Sequence, residues 1–555
     1  MSKPSNSNLF DSEFLRKFNQ TFRVNRSENK TKKEETTKVE TEGESGDDEE
    51  LEDGGGFDYY NYSYCEESNV IHLYDQVFEH IRAECFKRKK LFRDHKFPTS
   101  KASFYRDYDE MKPRVVYTWL RPGEISDTPS LVSDGVSRFD TRQGAIGNCW
   151  FVAAVANFAH LQEKDKNMFT QVVPKEQGFD ENYAGVFRFR FWQYGDWVEV
   201  VVDDRLPTRY GSLACLSSMD SDEYWAALLE KAYAKLHGSY EALALGDGSE
   251  AFVDLTGALS DLHQAPYPDN LYELMAAAYK KDNFIGCVHP QTDTDSVTEE
   301  VTEDGLVTNH YYSVTAVRRI SYEFLGERGS ARMLRVRNPW ANDTEWTGAG
   351  SDESAEWTFI PKKMKDSLDL KIEDDGEFWM PFKVFCQKFD KVEICHKSPH
   401  EDDSSFTLQS VHGTWTQSVE DVDENEDDDV LIQRLLPTMP QHFFTVDSDD
   451  TKVIVHLIDK NRRRNRWDYQ TIQLLVYTSP EHSHQLDEAY LKEEGNLVDK
   501  KTNYGRDVTW EATLSAGKYA IIPANADKAN AREYYLRIIY NNHVDVAFAA
   551  SGGDE

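Results

Sequence analysis

Gln143-Gly144-Ala145-Ile146-Gly147-Asn148-Cys149-Trp150, continued by Phe151-Val152-Ala153-Ala154-Val155-Ala156, sets one cysteine at the mouth of an apolar, alanine-rich helix. A cysteine at a helix N-terminus lies in the positive end of the macrodipole, which favours thiolate over thiol and makes sulfur a usable nucleophile. Gln143, six residues upstream, can return its side-chain amide beside the Cys149 backbone N–H. Together they form a donor pair for a developing oxyanion.

A nucleophile of this kind needs a base, and the base needs an orienting group. Thr308-Asn309-His310-Tyr311-Tyr312-Ser313-Val314-Thr315-Ala316-Val317 reads as a strand from its aromatic and β-branched content, with His310 near its start. A second strand-like run, Ala331 to Arg337, delivers Asn338-Pro339-Trp340 at its end. The Asn338 carbonyl can accept from one imidazole nitrogen while the other faces sulfur, and Trp340 can shield that bond from water. Taken singly, such a cysteine is more often a small buried hydrophobe, and such a histidine a satisfied polar residue. Glutamine, cysteine, histidine and asparagine in this order, each at the edge of an element, raise the weight of the catalytic reading considerably, and the resemblance described next is what chiefly decides for it.

These motifs resemble the calpain family of intracellular cysteine proteases. The strings QGAIGNCWFVAA, ENYAGVFRFRFWQYGDWVEVVVDDRLPT, EYWAALLEKAYAKLHGSYEAL, RVRNPW and DDGEFWMPF carry the resemblance from about Phe97 to about Pro399. The following segment, to about Asn541, resembles the C2-like β-sandwich that succeeds the protease core in that family. The implied fold class is α+β: a two-lobed papain-like core, then an all-β C2-like sandwich, with a disordered acidic N-terminal tail. The expected divisions are 1–69 for the tail and glycine linker, 70–257 for the nucleophile lobe, 258–396 for the histidine and asparagine lobe, and 397–555 for the sandwich.

Carried over by resemblance, Cys149 is the nucleophile, His310 the general base, Asn338 the orienting residue and Gln143 the oxyanion donor. The family also implies two calcium ions in the core. The first would take backbone oxygens of Ser133 and Gly135 with carboxylates of Asp140 and Glu223. The second would take Glu345, Asp352, Asp375 and Glu377, with the backbone of Glu373 near by. Loop carboxylates mixed with carbonyls suit calcium, which accepts several hard oxygens in loose geometry. Departures are few. Asn148 stands where aspartate is common, Asn309 and Tyr311 flank the histidine where glycine and alanine are usual, and Ala341 replaces a usual glycine.

A formal charge of −36 over 555 residues excludes a general nucleic-acid binder. No apolar run is long enough for a membrane span, and seven scattered cysteines fit a reducing compartment, so the expected location is cytoplasmic with recruitment to membranes as an option. Residues 1–60 are too polar to bury a core, although Phe10, Phe14, Phe18 and Phe22 would share one helix face. A charged amphipathic helix is predicted from Val70 to about Phe92, and a hairpin from Gly185 to Gln193 and Trp197 to Val202. The second lobe is expected to be β-rich and barrel-like. Seven short strands between Ser405 and Ile539 argue a sandwich.

Its acidic run, Glu420 to Asp429, and its basic run, Arg462-Arg463-Arg464-Asn465-Arg466, read either as solvated loops or as elements responding to calcium and anionic phospholipid. No segment after about Asn541 resembles a penta-EF-hand domain, so no small regulatory subunit is expected. The leading expectation is a calcium-activated endopeptidase making limited cuts in protein substrates bound in extended conformation. The rival is an inactive scaffold of the same fold that acts through calcium- or phospholipid-dependent binding.

Overall fold

Cys149–Leu161 is a helix whose residues are apolar around its whole circumference, and a helix of that kind has to be interior. Every residue from Cys149 to Ala159 is buried. A computed structural model of the chain describes residues 62–65, 70–106, 115–161, 166–180, 182–291, 299–324, 327–368, 370–415, 426–480, 485–527 and 531–548. The phenylalanine-spaced N-terminal segment and the part of the acidic run from Glu420 to Asn425 lie outside these residues.

Around the central helix pack the fully buried helix Trp225–His237 and the helix Gly248–Thr256. Phe151 and Tyr233 stack with ring centroids 4.6 Å apart. The predicted hairpin is present as Val186–Gln193 and Asp196–Asp203, turning through Tyr194 and Gly195, both at positive φ. The helix expected from Val70 to Phe92 begins only at Phe78 and ends at Arg88. Val70–Leu73 is instead a strand, because Val-Ile-His-Leu alternates onto the free edge of the hairpin and pairs parallel with Asp196–Asp203.

The second lobe is a six-stranded antiparallel sheet, ordered Glu377–Pro381, Glu327–Arg337, His310–Phe324, Phe284–His289, Lys391–His396 and Leu259–Gln264. Leu271, Met275, Tyr312, Val336 and Phe385 belong to its core. Among the described residues the sheet is open and not closed as a barrel. Its edge strand Leu259–Gln264 turns to the C-terminal domain, where Leu259 clusters with Ile454 and Ile539.

That domain is a sandwich of a four-stranded and a five-stranded sheet, with nine strands among the described residues where seven are predicted. The two extra strands, Leu497–Gly505 and Val544–Ala547, are the edges of the five-stranded sheet. The first is mostly exposed and carries Asp499, Lys500 and Lys501, the polar pattern of a guarded edge, which is why it reads as loop. The basic run is not a solvated loop at Arg462 and Arg463, which are 7% and 5% exposed. Arg463 Nε donates to Glu250 Oε1 at 2.6 Å, and its guanidinium lies 4.2 Å over the Trp150 ring. Arg506 Nη1 donates to Asp254 at 2.7 Å. Two buried acids on the core, Glu250 and Asp254, take these cations, and a run of arginines read alone does not show it.

Candidate active site

Cys149 opens its helix with Asn148 at the boundary: the Asn148 carbonyl accepts from Phe151 N and Val152 N at 3.0 and 3.1 Å. The Asn148 side chain donates to Glu230 Oε1 at 2.7 Å, and Leu216 N donates to the other oxygen. Burial pushes Glu230 up to about 7. An amide beside it supplies a hydrogen bond where a second carboxylate would add repulsion, which accounts for asparagine at this position.

His310 opens the long strand His310–Phe324, fully buried, with Trp340 and Tyr312 against its ring at 5.2 and 5.1 Å. Its Nε2 lies 2.9 Å from Asn338 Oδ1. Asn338 is itself held by Thr344 O at 3.0 Å, by Trp340 N at 3.0 Å and by Gly376 O at 2.8 Å. The other face of the imidazole meets sulfur: Cys149 Sγ, a His310 ring nitrogen and a Glu299 carboxylate oxygen lie within 4.8 Å of one another. Burial alone would lower the imidazole, but Cys149 and Glu299 hold it up, to about 10. Gln143 is anchored by its N–H to Pro339 O at 3.0 Å, and its Nε2 donates one hydrogen to Ile146 O at 3.0 Å, leaving a second hydrogen on that nitrogen.

The lobes meet through more than the cysteine and histidine. Arg138 of the first lobe forms a two-bond pair with Glu377 of the second, at 2.8 and 2.9 Å. Arg337 Nη2 donates to Thr141 O at 3.0 Å. The residues flanking His310 have local reasons. Asn309 has φ 50°, the left-handed region where asparagine is tolerated next after glycine. Tyr311 turns inward, donating to Glu393 Oε2 at 2.6 Å, while Ser249 N donates to the same oxygen at 2.8 Å. Gly248 and Gly286 leave the room that ring fills, and a Cβ at Gly286 would overlap the Tyr311 hydroxyl. Gly286→Ala is therefore expected to cost about 1–3 kcal/mol of stability by overpacking, read from chemical denaturation.

The acids assigned to calcium fall in two places. Asp140 accepts from Ser137 N at 2.7 Å. Glu223 accepts from Ser133 N at 2.9 Å, and Gly135 sits in the same loop at φ 101°. Burial and then Asp140 push Glu223 up to about 7. In the second lobe, Glu345, Asp352 and Glu373 line a recess of about 1020 Å³ with Asp374. Burial, then Asp352 and Asp375, raise Glu345 to about 8, and burial followed by Asp375 raises Asp352 to about 6. Asp352 Oδ1 is buried with no hydrogen-bond partner among the described residues. Half-buried carboxylates that repel one another, one of them with an orphaned oxygen, fit a hard cation. Glu377 differs, since its carboxylate is engaged by Arg138. Glu299 carries no signal of this role in the sequence. It lies in the acidic pair Glu299-Glu300, and nothing in its spacing distinguishes it from surface charge.

Residues 92–396 match the family model for calpain family cysteine protease, and residues 423–539 match that for calpain large subunit, domain III. Calpain-A of Drosophila melanogaster is 38% identical over 509 residues, covering 85% of this chain and 58% of that protein. Calpain-B of the same organism is 37% identical over 494 residues, covering 83% and 51%. Calpain-8 of Rattus norvegicus is 35% identical over 497 residues, covering 85% and 68%. This chain thus spans between half and about two thirds of the length of these relatives. No helix among the described residues is long and apolar enough to cross a membrane.

Proposed function

Because this chain belongs to the calpain family of cysteine proteases, we propose that it is a calcium-activated endopeptidase making limited cuts in protein substrates through Cys149, His310 and Asn338. The observation that carries this is the meeting of sulfur and imidazole across two lobes, with the far ring nitrogen on Asn338. Cys149 attacks the peptide carbonyl carbon. The carbonyl oxygen gains charge and takes donors from the Cys149 N–H and the second Nε2 hydrogen of Gln143. His310 gives its proton to the leaving amine as the C–N bond breaks. It then takes one from the water that hydrolyses the thioester, returning free sulfur and a carboxylic acid. Asn338 fixes the ring orientation throughout, as an orienting group must.

The substrate would lie extended in the cleft between lobes, and anionic phospholipid is a partner the sandwich would be tested for. Asp140 with Glu223, and Glu345 with Asp352 and Asp375, would hold calcium, which when bound supplies fixed positive charge to acids that burial and mutual repulsion otherwise push toward neutrality. Each set belongs to a different lobe, so the relative placement of Cys149 and His310 depends on how these loops are held.

The test is hydrolysis of casein by the purified chain in millimolar calcium and in excess chelator. A misplacement of about 1 Å costs roughly a hundredfold in rate, so a loss of about that size in chelator is expected. Digestion equally fast in both would remove calcium control from this reading.

A further inference from the structure

Three side chains of different ligand chemistry converge at one point. Cys149 Sγ, a His310 ring nitrogen and a Glu299 carboxylate oxygen all lie within 4.8 Å of one another. Glu299 belongs to the loop before the His310 strand, and its Oε1 stands 3.0 Å from Nδ1, the ring nitrogen not used by Asn338. Sulfur and imidazole are buried, whereas the carboxylate is 24% exposed and keeps one side open to water.

One sulfur, one imidazole nitrogen and one carboxylate oxygen make a donor set for a borderline ion. Zinc takes three protein ligands of these kinds with water in a fourth position, whereas calcium asks for six to eight oxygens. The second ring nitrogen is also placed as a ligating histidine requires, because Asn338 Oδ1 accepts its hydrogen at 2.9 Å and so fixes tautomer and ring plane.

We propose that Cys149, His310 and Glu299 form an inhibitory zinc site, separate from the acids assigned to calcium. The ion bonds to the sulfur and to Nδ1, the proton shared by those two groups leaves to solvent, and water completes the coordination. The pair is then unavailable for attack or proton transfer. Binding itself does not depend on catalysis, while the inhibitory consequence rests on the protease reading above.

Cobalt is the probe, added to the full chain with calcium present in excess to fill the oxygen-lined loops. A sulfur-to-cobalt charge-transfer absorption is expected, displaced by an equivalent of zinc, absent in Cys149→Ser and lost in His310→Ala. Glu299→Gln should bind at least about tenfold more weakly, because losing a charged ligand should cost no less than losing an outer-shell partner, about 10–100-fold, and Glu299→His, which keeps a ligand there, should restore affinity. In the kinetic arm, each variant is referred to its own metal-free rate. The zinc concentration that halves hydrolysis should rise at least about tenfold in Glu299→Gln and return in Glu299→His. No thiolate absorption, or equal affinity in Glu299→Gln, overturns the site. Absorption that behaves as expected in a chain that hydrolyses nothing supports the site and removes the protease reading instead.

Discussion

Cys149→Ser is expected to lower kcat/KM on casein by at least about 10⁴-fold while far-UV circular dichroism is unchanged, since single losses from such a constellation remove nearly all of its rate. Serine keeps the shape of the site and the backbone N–H that would face the oxyanion. What it loses is sulfur itself, an intrinsically far stronger nucleophile than a hydroxyl, at the start of the central helix. The same substitution reports on His310. In the native chain burial lowers the imidazole, but Cys149 and Glu299 raise it to about 10. Without sulfur only Glu299 remains of these two, so the ring should titrate at lower pH, as followed by NMR.

The sign for stability follows. A folded value above the ordinary 6.5 means that the protonated ring contributes stability fully below about pH 6.5, and this is lost as pH rises through about 10. In the serine variant the loss should come at lower pH. Residual hydrolysis within a hundredfold of the native rate would point to another nucleophile.

How much could be read from the chain alone follows from how far each signal reaches. The nucleophile helix and the hairpin are local: alanine-rich apolar sequence after a cysteine, and alternating apolar residues around Tyr194-Gly195, specify themselves within a dozen positions. Val70–Leu73 lies between two partners, Tyr62–Cys65 close by and Asp196–Asp203 more than a hundred residues away, but four residues are too short a run for its period to tell strand from helix. Leu497–Gly505 failed because an exposed edge strand has little apolar pattern to show. Glu299 and Glu250 failed for a stronger reason. An acid is recognisable as a partner only when the histidine or arginines opposite it are known, and those lie 11 and more than 200 residues away. Conversely, Asn309 and Tyr311 stood out as departures beside His310, and the backbone at φ 50° with the small residues at Gly248 and Gly286 accommodates both.

The largest effect on stability is expected at Glu250, the buried acid that joins core and sandwich. Glu250 is 1% exposed, and its carboxylate takes Arg463 at 2.6 and 3.0 Å, Arg462 at 3.2 Å and the Tyr469 hydroxyl at 2.9 Å, with Arg506 at 4.0 Å. Burial alone would raise it, but Arg463, Arg462 and Arg506 hold it well below the ordinary carboxylate value. Its contribution to stability is therefore present above about pH 4.5 and is lost only as pH falls well below that.

Glu250→Ala would leave the buried guanidinium groups of Arg463 and Arg462 without their counter-charge, while Arg506 keeps Asp254, and breaking a buried pair from one side costs about 3–5 kcal/mol. The damage would not stay at the interface. Arg463 lies over Trp150, the neighbour of Cys149, and also holds the carbonyls of Ala242 and Leu245, so the nucleophile helix loses a wall. Denaturant unfolding at pH 7 should show the loss. Adding Arg463→Ala to Glu250→Ala should cost less than the two separate losses combined, because the second change removes a charge already stranded by the first. Additive losses, or a single-variant cost below about 1 kcal/mol, would mean that the cluster behaves as a solvated surface pair and does not tie the sandwich to the catalytic helix.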